Sequence, residues 1–268
     1  MKAIGFNGGC FGDVIMGAIA ARAHKLQYPD SILVCGVAEK YSAIAPTIKT
    51  CPYFDDVCIW KGYDGWPAPE DKRHVLEAGY DKVYNAMPQH VDDDWYLRRH
   101  QTEEMCLMHG LQPPVDLQIR LIKSFDTIRK HKTIAVSFFG ETRGASKSLS
   151  VNKAKEIVDL LTKTGYNVVQ LGLPTEPSVA QRYTGSFFDV IRFCLGCDAL
   201  VTVDTAMAWV MSGYQFPVVG LYGHSYYPRA FTARNWQPFN PNAIYLESAV
   251  ANDIHPERVL GAINNLLK

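Results

Sequence analysis

Chemically reactive side chains in this sequence follow predicted strands, and the first group is the segment Gly-Gly-Cys-Phe-Gly-Asp at 8–13. Gly9 and Gly12 would let another molecule approach the backbone, and Asp13 could accept a proton from a hydroxyl group. The dinucleotide-binding pattern would need glycine at Asn7, and a carboxylate at a helix start would repel a pyrophosphate. We therefore interpret Asp13 as a candidate base at the edge of a cleft. The alternative is a helix-terminal carboxylate without chemistry.

Two loops in the second half of the chain carry groups that suit a phosphorylated ligand. The loop at 140–147 contains Arg143 and Lys147 among small hydroxyl residues, a composition that suits a phosphate. Glu176 comes shortly after the strand that ends at Leu171, where its carboxylate could accept hydrogen bonds from ribose hydroxyls. The alternatives are a solvated surface loop and an ordinary acidic turn residue.

A third loop follows the predicted strand 199–203, where Asp204 and Thr205 precede a helix that opens with Ala206. Backbone N–H groups at a helix start face outward and bind anions, so this end could hold a phosphate. Asp204 would then hold sugar hydroxyls, or it would cap the helix without binding anything. His224, after the next strand, is a weaker candidate because a lone loop histidine is usually a surface polar group.

Strands and helices alternate in two successive blocks, which predicts two α/β domains with mostly parallel sheets that face a cleft. We place the boundary between residues 127 and 128, giving domains 1–127 and 128–268, and the last helix could pack back onto the first domain. Ligands of such sheets bind beyond the carboxyl ends of the strands. Strands are predicted at 2–6, 31–37, 57–60, 82–85, 133–139, 167–171, 199–203 and 218–222, and helices at about 13–27, 41–48, 71–77, 94–109, 151–164, 187–195, 206–214 and 255–267.

Composition excludes several classes of protein. The 268 residues carry 27 Lys+Arg and 27 Asp+Glu, so the whole chain has no charge that would attract a polyanion. With 47% apolar residues it can build a core, yet no stretch reaches the roughly 20 apolar residues of a transmembrane helix, and the first residues lack the apolar core of a signal peptide. We expect a soluble, cytoplasmic protein.

The seven cysteines are an odd, scattered set that indicates buried reduced thiols rather than a disulfide framework. Cys194 and Cys197 have the spacing of a redox or half-zinc motif, but no second pair completes a metal site. The acidic run at 92–94 is interpreted as the cap of the following helix. We therefore expect no metal.

Two blocks of motifs resemble the family 9 glycosyltransferases, the group of the ADP-heptose:lipopolysaccharide heptosyltransferases. The amino-terminal block is Gly-Asp-Val-Ile at 12–15, Tyr-Pro-Asp-Ser at 28–31 and Pro-Tyr-Phe-Asp-Asp-Val at 52–57. The more specific carboxy-terminal block is Asp-Ala-Leu-Val-Thr-Val-Asp-Thr at 198–205 followed by Phe-Pro-Val-Val-Gly-Leu-Tyr-Gly at 216–223. The resemblance covers most of the chain in order and implies the GT-B fold, with two Rossmann-like domains facing a cleft.

The resemblance also implies an inverting, metal-independent transfer of a sugar from a nucleotide diphosphate sugar, a co-substrate rather than a cofactor. The acceptor is a hydroxyl of a glycan or lipopolysaccharide-type molecule. Asp13 is the implied general base, on the acceptor-side loop that contains Gly9 and Gly12. The implied donor-binding residues are Arg143, Lys147, Glu176, Asp204, Thr205, Ala206 and His224.

Two alternatives remain open. One keeps the enzyme but makes its acceptor a nucleic-acid base or a protein side chain, because basic residues cluster in sequence at Arg98, Arg99, His100, Arg120, Lys123, Arg129, Lys130, His131 and Lys132. The other is a catalytically silent nucleotide-sugar-binding module. It is motivated by Trp209, which stands where the family has histidine.

Overall fold

The computed structural model describes residues 1–7, 11–60, 78–84, 99–122, 126–140, 147–223 and 237–268. The chain divides into two compact units, Met1–Ser124 and Phe125–Lys268. The predicted boundary after residue 127 lies close to this division. Each unit has its own β-sheet.

The first unit is built on a four-stranded sheet in the order β3-β2-β1-β4, and all of its strand pairs are parallel. The order reverses beside β1, because β2 and β3 lie on one side of it and β4 on the other. The strands are β1 (Lys2–Asn7), β2 (Ile32–Ala38), β3 (Asp56–Trp60) and β4 (Lys82–Tyr84), and the helices are α1 (Phe11–Gln27), a 3-10 helix (Glu39–Ile44), α2 (Ala45–Ile48) and α3 (Gln101–Leu107).

The second unit has a six-stranded parallel sheet in the order β10-β9-β8-β5-β6-β7. This is the doubly wound order of Rossmann-type sheets, with its reversal between β5 and β8. The strands are β5 (Thr133–Ser137), β6 (Asn167–Gln170), β7 (Gln181–Arg182), β8 (Ala199–Val203), β9 (Val218–Gly223) and β10 (Ala243–Ser248), and the helices are α4 (Val151–Lys163), α5 (Phe187–Gly196), α6 (Ala206–Ser212), a 3-10 helix (Ala251–Asp253) and α7 (Pro256–Leu266).

The core of the second unit forms between its central strands and the apolar faces of its helices. Strands β5, β8 and β9 are buried along their whole length, which explains why apolar residues predominate in them without a regular alternation of apolar and polar positions. Helix α4 buries Ala154, Ile157, Val158 and Leu161, and the Ser150 side chain caps its start by accepting from the Lys153 N–H. Helix α7 packs against α4, β9 and β10 within its own unit.

The structure confirms the α/β class with parallel sheets and differs from the predicted elements in a few places. Strands β7 and β10 were not predicted: β7 has only two residues, and β10 is a half-buried strand at the edge of the sheet. Within the helix predicted at 94–109 the structure describes α3 (Gln101–Leu107), and the side chain of His100 caps its start by accepting from the Thr102 N–H. Residues 94–98 lie outside the described residues. The helix predicted at 71–77 and the acidic run at 92–94 lie outside the described residues.

The described cysteines are free thiols and, apart from the half-buried Cys58, they are buried. Burial raises the pKa of Cys194 well above its ordinary value and that of Cys197 to about 12. Redox exchange and metal binding use the thiolate, which this environment disfavours. The prediction of buried reduced thiols is confirmed for these residues, while Cys10 lies outside the description.

A helix that crosses a lipid bilayer must be both long and apolar. Within the described ranges, no helix combines the length and the apolar character that crossing a membrane requires.

A buried hydrogen-bond network ties α1 to the sheet of the first unit through His24, which is fully buried. The Ser31 hydroxyl donates to the Tyr28 carbonyl and therefore accepts from His24 Nε2, 2.6 Å away. The Nδ1 of the neutral ring then accepts from the Tyr84 hydroxyl at 2.6 Å. Burial, together with the nearby Lys82 and Lys25, lowers the pKa of His24 to about 4.

We predict that the first unit loses stability as the pH falls from about 6.5 to 4. Burial also lowers the pKa of His109 to about 4, so in this window the unfolded chain binds protons that the folded unit does not. Each histidine should contribute a slope of up to about 1.4 kcal/mol per pH unit to the unfolding free energy. Denaturant unfolding at a series of pH values measures it.

The matched variant is His24→Gln, which removes one titrating group and should reduce the slope by up to one proton. The carboxyls of Asp55 and Asp116 have pKa values lowered from 3.8, so they titrate below the upper part of the window. If the unfolding free energy changes with pH equally in both proteins between pH 5 and 6.5, His24 does not contribute to this pH dependence.

Candidate functional site

An ion pair between Lys147 and Asp204 lies at the carboxyl edge of the second sheet. Lys147 Nζ is 2.5 Å from Asp204 Oδ2, and the two side chains are only 20% and 14% exposed. Lys147 follows β5 and Asp204 follows β8, adjacent parallel strands paired at Ser137 and Thr202. The pair therefore sits where the strand order reverses, which is the ligand-binding position of open α/β sheets.

Two hydrogen bonds, one of them to a side chain, close the base of the loop after β5. The Gly140 N–H donates to Ser148 Oγ at 2.9 Å, and the Leu149 N–H donates to the Phe138 carbonyl at 3.0 Å. These bonds bring the two ends of the loop together and direct Lys147 towards the sheet edge. Arg143 lies outside the described residues.

The loop after β8 orients its hydroxyl groups towards one another. Thr202 Oγ1 donates to the Val203 carbonyl at 2.8 Å, so it accepts from the Thr205 hydroxyl at 2.9 Å. Thr205 is the N-cap residue of α6, but its side chain makes no capping bond to the helix. An anion at this end would therefore accept from the backbone N–H groups that begin at Ala206, and not from the Thr205 hydroxyl.

The loop after β6 places Glu176 at the same edge, since β6 neighbours β5. Gly172 has φ +147, and a Cβ at this position would lie 2.8 Å from Glu176 Cδ and still closer to Oε2. The Glu176 carboxyl group therefore packs directly over the Gly172 backbone. Only glycine leaves room for this packing and tolerates this backbone conformation.

Arg182 at the end of β7 holds the same loop from the other side. Its Nη1 donates to the Pro174 carbonyl at 3.0 Å, and its Nη2 donates to the Glu176 carbonyl at 2.7 Å. The fully buried Gln170 adds two bonds, from Nε2 to the Pro177 carbonyl at 2.9 Å and from the Val179 N–H to Oε1 at 3.0 Å. Sequence analysis missed Gly172, Gln170 and Arg182. Only the turn-like Gly-Leu-Pro could have indicated the first.

The first unit presents the start of α1 at the carboxyl end of β1, beside the reversal of its own sheet. Gly12 and the backbone of Asp13 lie in the first turn of α1, but the side chain of Asp13 is outside the description. Gly9 and His224 also lie outside the described residues. Their predicted roles therefore stay predictions.

Trp209 occupies the position where the family resemblance has a histidine, and it is 4% exposed within α6. Such a side chain belongs to the interior of the unit.

Three of the basic residues that suggested a nucleic-acid acceptor contact other side chains of the protein. Arg99 pairs with the buried Glu104 at 2.6 Å, Arg129 pairs with Asp198 at 2.8 Å, and Lys130 lies 5.2 Å from the centre of the Phe193 ring. These charges are partly neutralised within the protein, which weakens the case for a polyanion surface. Among the residues that the structure describes, no group of three or more His, Cys, Asp or Glu could hold a metal ion.

Solved structures with a similar fold are glycosyltransferases by their names. Escherichia coli ADP-heptose LPS heptosyltransferase II aligns with a TM-score of 0.73 at 19% identity, covering 100% of this chain and 98% of that one. A glycosyl transferase family 9 protein from Veillonella parvula DSM 2008 aligns at 0.72 and 16%, covering 99% and 97%. E. coli heptosyltransferase WaaC with ADP aligns at 0.69 and 15%, covering 99% and 100%.

At these identities the similarity establishes the fold, and the resemblance to the family 9 glycosyltransferases is confirmed at that level. Searches of protein-family models and of curated proteins find no match.

We predict that Gly172→Ala destabilises the protein more than Gly165→Ala does. Both positions have positive φ, +147 and +93, so alanine is strained at either, but a Cβ at 165 meets nothing within 4 Å. The overlap is with the flexible end of the Glu176 side chain, which can shift, so it should add less than the roughly 1–3 kcal/mol of overpacking in a core. Adding Glu176→Ala should recover most of that excess, as measured by denaturant unfolding. No recovery would show that the Glu176 carboxyl group does not occupy this space.

Proposed function

We propose that this protein is a glycosyltransferase that moves a sugar from a nucleotide diphosphate sugar to a hydroxyl acceptor. The observation that carries the proposal is the Lys147–Asp204 ion pair at the strand-order reversal of the second sheet. Together they supply a cation for a diphosphate and a carboxylate for sugar hydroxyls where such sheets bind ligands. The fold similarity to nucleotide-sugar enzymes supports this assignment.

The donor would bind along the carboxyl edge of β6, β5 and β8. Lys147 would exchange its contact with Asp204 for the donor phosphates, with Arg143 and the backbone N–H groups at Thr205 and Ala206 as further donors. Asp204, released from Lys147, would accept hydrogen bonds from sugar hydroxyls. Glu176 would accept those of the ribose, and His224 would border the same site.

The transfer itself would be inverting. Asp13 would remove the proton of the acceptor hydroxyl from the face opposite the leaving diphosphate, while Gly9 and Gly12 leave room for the acceptor. This requires the two units to face each other across a cleft, the GT-B arrangement. The cations and backbone N–H groups of the donor site would stabilise the leaving diphosphate, a role that other enzymes give to a metal.

We propose ADP-heptose and a lipopolysaccharide-type glycan as the first substrates to test, because neighbours in fold are named for them. Calorimetric titration with ADP, UDP and GDP should find one nucleoside diphosphate that binds. Incubation with the corresponding nucleotide sugars should then release that nucleotide in the presence of an acceptor glycan. If no nucleotide binds and no donor is turned over, the proposal is wrong.

Lys147→Ala should weaken binding of that nucleoside diphosphate by roughly 10–100-fold, the equivalent of one charge-assisted hydrogen bond. The control is Lys163→Ala, an exposed lysine in the last turn of α4, which should bind as the unchanged protein does. In Lys147→Ala the Asp204 carboxylate loses its cation and could itself repel the diphosphate. The double variant Lys147→Ala/Asp204→Asn removes this carboxylate without restoring the cation, so its affinity for the nucleotide should also stay low. Equal affinities in the two single variants would remove Lys147 from the donor site.

Asp13→Asn should keep the affinity for the donor and lower the rate of transfer by about 10²–10⁴-fold, the range for loss of a general base. Asp30→Asn, an exposed carboxylate in the turn after α1, is the matched control and should transfer normally. Turnover by Asp13→Asn at the unchanged rate would contradict the proposed base.

A nucleotide-sugar-binding module without catalysis is the second candidate, and the buried Trp209 at the family's histidine position favours it. It predicts tight donor binding with no transfer to any acceptor. In that case Asp13→Asn would be indistinguishable from the unchanged protein in every assay.

A further inference from the structure

A clamp formed by Arg182 and Gln170 holds the loop that carries Glu176. Both side chains lie on strands, at the ends of β7 and β6, and both bind loop backbone rather than other side chains. Rigid strand positions are better supports for a binding group than a loop is by itself.

Arg182 donates to three backbone carbonyls of this loop. Its Nη2 donates to the carbonyls of Glu176 and Pro177 at 2.7 and 3.3 Å, and its Nη1 donates to that of Pro174 at 3.0 Å. A planar guanidinium fork can hold several acceptors in fixed directions, whereas a lysine ammonium on a flexible stem cannot reproduce that geometry. The contacts fix the backbone on both sides of the Glu176 side chain.

Gln170 secures the same loop from within the sheet. It is fully buried and shares the Pro177 carbonyl with Arg182, while its side-chain oxygen accepts from the Val179 N–H. On the opposite side Gly172 presents a bare backbone surface to the Glu176 carboxyl group. Arg182 and Gln170 therefore restrain the loop backbone around Glu176, and the Glu176 carboxyl group packs against Gly172.

We propose that Arg182 is a positioning residue for nucleotide recognition, which acts through Glu176 and sets the preference for a ribose over a deoxygenated sugar. This rests on the proposed function, in which Glu176 binds the ribose hydroxyls. Arg182 itself contacts the loop backbone and not the ligand. Its removal should therefore weaken only the part of the affinity that comes from the ribose hydroxyls.

The experiment measures dissociation constants for ADP, 2′,3′-dideoxy-ADP and inorganic pyrophosphate. The unchanged protein should prefer ADP to the dideoxy compound by roughly tenfold or more, because a hydrogen bond to a charged group is lost. Arg182→Ala should lose about that factor for ADP and bind the other two within about twofold of the unchanged protein. The affinity of Arg182→Lys for ADP should lie between those of the unchanged protein and Arg182→Ala. This variant replaces Arg182→Ala in the test if the alanine variant folds poorly.

Two further variants separate positioning from a general effect on stability. Arg192→Ala is the matched control, since Arg192 lies in the same unit and also donates to a backbone carbonyl, that of Asp126, at 3.3 Å. It should leave all three constants unchanged. In a Glu176→Ala background, Arg182→Ala should have no further effect on ADP.

The outcomes distinguish the two proposals. If the protein binds UDP or GDP instead of ADP, the same comparison is made with that nucleotide and its 2′,3′-dideoxy form. If no nucleoside diphosphate binds, both the proposed function and the positioning role of Arg182 are wrong. If the unchanged protein prefers ADP but Arg182→Ala retains that preference, or weakens pyrophosphate equally, the positioning role is wrong while the proposed function stands.

Discussion

The reversal of strand order between β5 and β8 is the constraint on which the candidate site depends. Parallel strands end at one edge, and where the order reverses the following helices move to opposite faces and leave a crevice. The loops after β5 and β8 meet there, which allows Lys147 and Asp204 to pair although they are far apart in sequence.

Several cationic side chains of this protein form ion pairs with carboxylates. Arg22 pairs with Asp116, Lys25 with Asp55, and Lys147 with Asp204. In the first two pairs the arrangement is structural, since Asp55 also accepts from the Leu33 N–H and Arg22 also donates to a backbone carbonyl. The Lys147–Asp204 pair lies at the edge where open α/β sheets bind ligands. Under the proposed function, a diphosphate would replace the Asp204 carboxylate as the partner of Lys147.

Hydrogen bonds, most of them to backbone groups, hold the loops of the candidate site in place. Thr202 and Thr205 satisfy each other, and Gln170 and Arg182 hold the loop of Glu176. Because these groups do not touch the ligand, they contribute little directly to the free energy of binding. They reduce the ordering that binding would otherwise require, which is where much of the affinity of a site originates.

The sequence by itself determined the alternation of strands and helices, the Ser150 cap and the identity of the charged loop residues, because periodicity and capping act within a few residues. It missed the short strand β7 and the edge strand β10, whose pairing is created by the neighbouring strand. Only the tertiary structure decided that Lys147 meets Asp204, that Arg182 holds the Glu176 loop and that His24 stays neutral. Those outcomes depend on burial and on contacts between distant segments, which local sequence preference does not encode.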